Sequence, residues 1–267
     1  MIQHRKTPSV GPPATNLRPG HPPHNPPASS IANQMIGAAR ELCAAVSRLR
    51  FKPPVTRVYN PLDYAWPAHD AYLCRYADSR KRVVFLGMNP GPYGMVQTGV
   101  PFGEVGAVRD WMKIETTVGS PAREHPKRPV EGFACQRSEV SGRRLWGLFA
   151  ERFGEAEEFF AGCFVANYCP LAFFDRAGRN LTPDKLPASQ ATVLFAACDR
   201  HLLRVTAILQ PEWIIGVGDF AGKRARKIMT GTPLNIGKIL HPSPASPAAN
   251  KDWPGKATAQ LKALGVW

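Results

Sequence analysis

The chain has 267 residues, enough to bury one large core, and its 44% hydrophobic content is ordinary for a globular protein. No run approaches the roughly 18 to 20 apolar residues that cross a bilayer, and the N-terminus lacks the apolar core of a secretory signal, so an intracellular protein is expected. With 34 Lys and Arg against 20 Asp and Glu and a pI near 9.9, a polyanionic partner is favoured, nucleic acid before an anionic membrane; solubility alone is the plain alternative.

Residues 1–30 hold eight Pro, three basic residues and no acidic one, and are expected to form a disordered tail. The remaining 31 basic and 20 acidic residues keep the surplus in the folded part, expected to be one domain over residues 31–267. His4, His21 and His24 fall in the tail, where a metal role is not expected. Apolar residues at helical spacing (Ile36, Ala39, Leu42, Cys43, Val46, Leu49) predict a first helix over Ile31 to Arg50, ended by Pro53 and Pro54. The aromatic, turn-rich stretch Val58 to His69 reads as a loop closing the core. Val83 to Leu86 is a short β-branched apolar run, a buried strand, stopped by Gly87 and the cluster Asn89-Pro90-Gly91-Pro92.

Further on, Phe102 to Met112 and Arg137 to Phe149 each open a helix, separated by a basic, Pro-containing surface loop from Pro121 to Arg128. Cys163 to Leu171 is a second strand and turn, and Leu194 to Leu209 an amphipathic helix. Pro211 to Gly218 is a third strand, followed by the basic helical run Phe220 to Ile228. Ile236 to Leu240 is a fourth strand, ending at His241-Pro242-Ser243-Pro244. Strands alternating with helices predict parallel βαβ units, hence a three-layer α/β/α fold around a mostly parallel four-stranded sheet. No internal repeat is visible.

The six cysteines (Cys43, Cys74, Cys135, Cys163, Cys169, Cys198) form no Cys-x-x-Cys pair. Reduced thiols, with Cys163 and Cys169 in the core, are expected, and no metal.

Three polar residues stand just after predicted strands, where open α/β sheets place their ligands: Asn89, Asn167 and His241. Singly, each has an ordinary explanation. Asn in a strand-ending turn usually bonds the backbone, Asn167 can cap the following turn, and a His before Pro is commonly a satisfied turn residue.

Their neighbours are more specific. Gly87-Met88-Asn89-Pro90-Gly91-Pro92-Tyr93-Gly94, continuing through Val100-Pro101-Phe102-Gly103, closely resembles the first active-site motif of the uracil-DNA glycosylase superfamily, in the form of its single-strand-selective monofunctional branch. The segments 58–69, 102–112 and 137–149 also resemble that branch, and the likeness covers roughly residues 55–267. Some sister branches hold an iron–sulfur cluster with four cysteines, a pattern not seen here.

The resemblance implies a DNA repair enzyme that flips uracil out of single- or double-stranded DNA and hydrolyses the N-glycosidic bond without a cofactor. Asn89 would position the attacking water and His241 would donate to uracil O2, with the Met88 amide as a second donor. Asn167 would read the base through N3–H and O4, Phe102 would stack on it, and Gly91 with Tyr93 would wall its C5 side. Many members carry Phe where Tyr93 stands, so tolerance of C5 substituents stays open.

His241 to Lys251 resembles the family's wedge, with Pro242, Ser243, Pro244, Ala245, Ser246 and Lys251 as DNA-contact candidates. Ala245 stands where animal members carry a larger basic residue, so weaker duplex penetration or an altered strand preference is expected. Lys223, Arg224 and Arg226 are further phosphate candidates, with a solvated basic face as the alternative. No Lys lies in the three motifs, so an intact strand with an abasic site is the expected product. A protein working at one site along DNA needs no second copy, and a monomer is expected. Two other readings stay open: a mismatch or deaminated-purine (xanthine, hypoxanthine) glycosylase on the same fold, and a lesion-sensing DNA-binding module without catalysis. A small-molecule hydrolase is disfavoured by the charge.

Overall fold

The computed structural model of the chain describes residues 30–267. The expectation for the Pro-rich tail therefore falls, Ser30 apart, outside the described residues. Ser30 caps the first helix, α1 (Ile31–Ser47), its hydroxyl accepting from the Asn33 amide at 3.2 Å. The helix stops three residues short of Arg50, whose side chain folds back to donate to the carbonyls of Ser47 and Leu49.

The central sheet is formed by β2 (Val83–Gly87), β3 (Cys163–Asn167), β6 (Trp213–Val217) and β7 (Asn235–Ile239). Its order is β3-β2-β6-β7 and every pairing is parallel, with Val83 opposite both Cys163 and Trp213. All five residues of β2 are buried, as a strand covered on both faces requires. At its start, buried Lys81 spends its three donors on the Phe160 carbonyl (2.6 Å), Asp78 and Ser79 (both 3.0 Å).

The crossovers place the helices. The step from β2 to β3 runs one way along the sheet through α5 (Val140–Phe153) and α6 (Ala156–Gly162). The steps from β3 to β6 and from β6 to β7 run the other way, through α7 (Ala188–Leu209) and α8 (Asp219–Ile228). Right-handed connections of opposite direction put their helices on opposite faces, which makes the three layers. On one side α1 packs on α7 and on α3 (Trp66–Tyr76), and on the other α9 (Trp253–Ala263) packs on α5 and β7.

Several elements depart from the sequence reading. The stretch expected to be an aromatic loop holds β1 (Arg57–Tyr59), α2 (Pro61–Tyr64) and α3. Strand β1 pairs antiparallel with β4 (Ala172–Phe174), which pairs with β5 (Asn180–Leu181), in a second, three-stranded sheet. Helix α7 begins six residues before Leu194, and α6 and α9 had no expectation. A short α4 (Met95–Thr98) follows the first motif. The helix expected from Phe102 begins only at Val105 and widens into a π-type turn at Ala107–Trp111, with Phe102 before it in a left-handed backbone.

A candidate active site at the carboxyl edge of the sheet

A cleft of about 670 Å³ opens where β2, β3 and β7 end. Its lining includes all seven residues expected to touch a base or perform chemistry: Met88, Asn89, Gly91, Tyr93, Phe102, Asn167 and His241. The pairing of β2 with β3 continues beyond the strands, since the amides of Tyr168 and Cys169 donate to the carbonyls of Gly87 and Met88, both at 2.9 Å. The loops carrying Asn89 and Asn167 are thereby fixed to each other.

Each polar group is oriented by a neighbour. Asn89 Nδ2 donates to the Leu171 carbonyl at 3.2 Å, leaving Oδ1 as the atom available to the cleft. Asn167 Nδ2 donates to Met95 Sδ at 3.3 Å. The backbone under it must be Gly87, because a Cβ there would collide with Asn167 Oδ1 and the Phe102 ring. His241 Nδ1 accepts from the Ser243 amide at 3.0 Å, so its ring proton sits on Nε2. Burial lowers the imidazole to about 4, which leaves the ring neutral at physiological pH. Gly218, at φ 94°, lies against the ring where no side chain would fit.

Phe102 holds φ 53°, a costly conformation for an aromatic residue. Trp146 of α5 holds it there, its indole N–H donating to the Phe102 carbonyl at 3.0 Å. The Phe102 and His241 rings face each other across the cleft, centroids 6.2 Å apart.

Residues the sequence reading missed also line the cleft, among them Arg137, Glu139, Ser141 and Asn180. Burial raises the Glu139 carboxyl, while the amides of Ser141 and Tyr93 and the Ser141 hydroxyl pull it down. The sequence showed only that a helix opens near Arg137, with no sign that Glu139 faces Gly91, Tyr93 and Gly94.

The wedge candidates divide. Ser243 and Pro244 reach the cleft, whereas Ala245 and Lys251 are exposed outside it and Ser246 is half-buried. Pro242 is buried, its carbonyl accepting from Arg144 Nη1 at 2.8 Å while Nη2 donates to Asn250 Oδ1 at 3.1 Å. Lys223 and Arg226 are exposed on α8, as phosphate contacts would need to be. Arg224 is a correction: it is turned inward, with Nη2 donating to both Asp199 oxygens at 2.5 and 2.6 Å. The Tyr168 hydroxyl donates to the same carboxylate at 2.6 Å, and the guanidinium lies 4.6 Å from the Phe195 ring centre. Among the described residues no group of three or more His, Cys, Asp or Glu is arranged to hold a metal ion, and no helix is long and apolar enough to cross a membrane.

The uracil DNA glycosylase superfamily model matches residues 74–262. A Rattus norvegicus protein named single-strand selective monofunctional uracil-DNA glycosylase is 48% identical over 254 residues, covering 93% of this chain and 91% of its own. The Mus musculus protein of that name is 48% identical over 239 residues, 89% of this chain and 86% of its own. A crystal structure of SMUG2 from Pedobacter heparinus shares the fold with a TM-score of 0.64 at 18% identity, over 89% of this chain and 99% of that one. With its motifs at the ends of β2, β3 and β7 and relatives this similar over nearly its whole length, the chain belongs to the uracil-DNA glycosylase superfamily, in the single-strand-selective monofunctional branch.

Proposed function

We propose that the protein releases uracil from DNA by hydrolysing the bond between the base N1 and the sugar C1′, leaving an abasic site in an intact strand. The observation that carries this reading is the meeting of Asn89, Asn167 and His241, from three strand ends, in one cleft with Phe102 on its wall. DNA is the partner, and the basic surplus of the chain suits its backbone.

The base must leave the stack before any chemistry. Ser243 and Pro244 lie at the cleft mouth, where the wedge fills the vacated space. Phe102 stacks on the flipped base, and base–aromatic stacking contributes about 1–3 kcal/mol. Asn167 reads it: Oδ1 accepts from N3–H, and the Nδ2 hydrogen not engaged with Met95 donates to O4. Cytosine presents an acceptor at N3 and a donor at N4, so a fixed amide rejects it.

An amide is too weak a base to deprotonate water fully, so departure of the base leads and water capture follows. Negative charge gathers on uracil O2 as the bond to C1′ breaks. His241 meets it with Nε2–H, joined by the Met88 amide. One such donor in a dry site is worth about 3 kcal/mol of the barrier. Asn89 Oδ1 holds the water that adds to C1′ of the oxocarbenium-like sugar. The water's proton leaves to solvent and the sugar gains a hydroxyl. Among the described residues no Lys lines the cleft, which supports hydrolysis without a Schiff base and without a cut strand.

The test is a labelled single-stranded oligonucleotide with one uracil, treated with alkali after incubation. Cleavage that requires alkali is expected for the wild type, with strong reduction in Asn89→Ala and His241→Ala. Cleavage without alkali would indicate a lyase, and none from folded wild type would favour a lesion-binding module.

A further inference from the structure

Tyr93 sits between three charged side chains that all come from residues 128–139. Arg128 Nη1 donates to the Tyr93 hydroxyl. The Arg137 guanidinium lies 4.2 Å from the centre of the Tyr93 ring. The Glu139 carboxylate faces the Tyr93 amide and packs against Gly91 and Gly94. Arg128 is itself held from two other directions, Nε donating to the Gly178 carbonyl at 2.6 Å and its own carbonyl accepting from the Tyr59 hydroxyl at 2.7 Å. Buried Gln97 completes the attachment. Its Nε2 donates to the carbonyls of Pro92 and Pro129, both at 3.0 Å, and its Oε1 accepts from the amides of Glu131 (2.8 Å) and Gly132 (3.1 Å).

We propose that this segment is a clamp on the pocket wall, and that Arg128 is a positioning residue for Tyr93 which sets how tightly the pocket excludes a substituent on C5 of the base. The inference rests on the reading above that Tyr93 forms the C5 side of the pocket. A tyrosine on a Gly-Pro-Tyr-Gly loop has little local packing to fix its ring. A hydrogen bond from a guanidinium to its hydroxyl and a second guanidinium on its face supply that fixation. Exclusion of a methyl group is a matter of a wall that cannot retreat, and loss of the hydroxyl bond lets it retreat.

The experiment measures kcat/KM under single-turnover conditions on oligonucleotides carrying uracil or thymine (5-methyluracil), with excess enzyme and long incubations. Arg128→Met, which keeps the stem and removes the donors, is expected to hold uracil release within about threefold of wild type. Its thymine-to-uracil ratio is expected to rise about tenfold, within the range that one methyl commands in a packed pocket. Tyr93→Phe leaves the other bonds of Arg128 in place and is expected to raise the ratio equally; it supplies the same reading should Arg128→Met fail to fold. The double variant is expected to go no further than either single one, because each already breaks the bond between Arg128 and Tyr93. An unchanged ratio in the folded variants, undetectable thymine release throughout, or multiplicative effects in the double variant would overturn the clamp. A wild type that releases no uracil overturns the reading of the cleft itself, and this inference with it.

Discussion

The loop after β2 and the loop after β7 leave the same sheet edge and face the same cleft, but they are held differently. The first is tied along its length: through the carbonyls of Gly87, Met88 and Pro92, the Asn89 amide and the Tyr93 hydroxyl. The second is tied mostly to itself, through the Ser243 amide to His241, the Ala245 amide to the Ser243 hydroxyl and the Asn250 side-chain amide to the Pro244 carbonyl. Arg144 reaches Pro242 and Asn250 from α5, and the Ala245 side chain is left exposed. On the proposed function, the difference suits the demands on each. Atoms that aim at a reacting bond lose rate when they wander, whereas a loop that enters nucleic acid must yield to its partner.

Removal of an aimed group is expected to have the largest effect. His241→Ala is predicted to lower the single-turnover rate by about 10²–10³, the range for one lost donor at a developing oxyanion, with Asn89→Ala at least as severe. Both proteins should keep wild-type binding to abasic product.

Acid should weaken the whole frame next. His241, His201 and His69 are each lowered to about 4, by burial first in every case. In the unfolded chain these rings bind protons near pH 6.5, and in the folded protein near 4. The unfolded state therefore holds more protons between those values, and stability falls as pH drops from about 6.5 towards 4. The urea midpoint is predicted to be lower at about pH 5 than at about pH 7, with a shallower drop in His201→Leu; equal midpoints would show that the rings are not held neutral.

Loosening one tie within the rigid region should come third. Trp146→Phe removes the donor that holds Phe102 in its left-handed conformation, and a fall of about tenfold in kcat/KM is predicted, the equivalent of one hydrogen bond. Rates that follow global stability alone, read against a core variant of equal melting temperature, would remove Trp146 from the account. The smallest effect is expected in the loop after β7. Ala245→Arg is predicted to raise activity on duplex a few-fold and leave single-stranded uracil nearly unchanged; no shift in that ratio would deny the loop a wedge role.

The same contrast separates what was legible in the sequence from what was not. Strands β2, β3 and β6 were readable because each is a compact, largely buried apolar run closed by Gly or Asn, and β7, an edge strand with Asn235 and Lys238 exposed, because Ile236, Ile239 and Leu240 run up to His241-Pro242. Asn89, Asn167 and His241 were readable because they follow those runs directly. Strand β1 was hidden: three residues are too few to show alternation, and its partner β4 lies more than a hundred positions away. Glu139, Arg128 and Arg144 were missed for a related reason, since each acts on a segment far from it in sequence. Arg224 was misread because a basic run looks solvated from its spacing alone, and only the fold brings Asp199 to meet it.

The central claim is that the groups meeting the base and the bond, Asn89, Asn167 and His241, are neutral and aimed in advance, and the His241 ring tests it most directly. Its nitrogens can be followed by heteronuclear NMR in histidine-labelled protein across pH, with His241→Gln to assign the signal. The account predicts a neutral ring protonated on Nε2, with Nδ1 as acceptor, unchanged from about pH 8 to about pH 5, well below the ordinary midpoint near 6.5. A ring that becomes cationic near pH 6.5, or carries its proton on Nδ1, would contradict it.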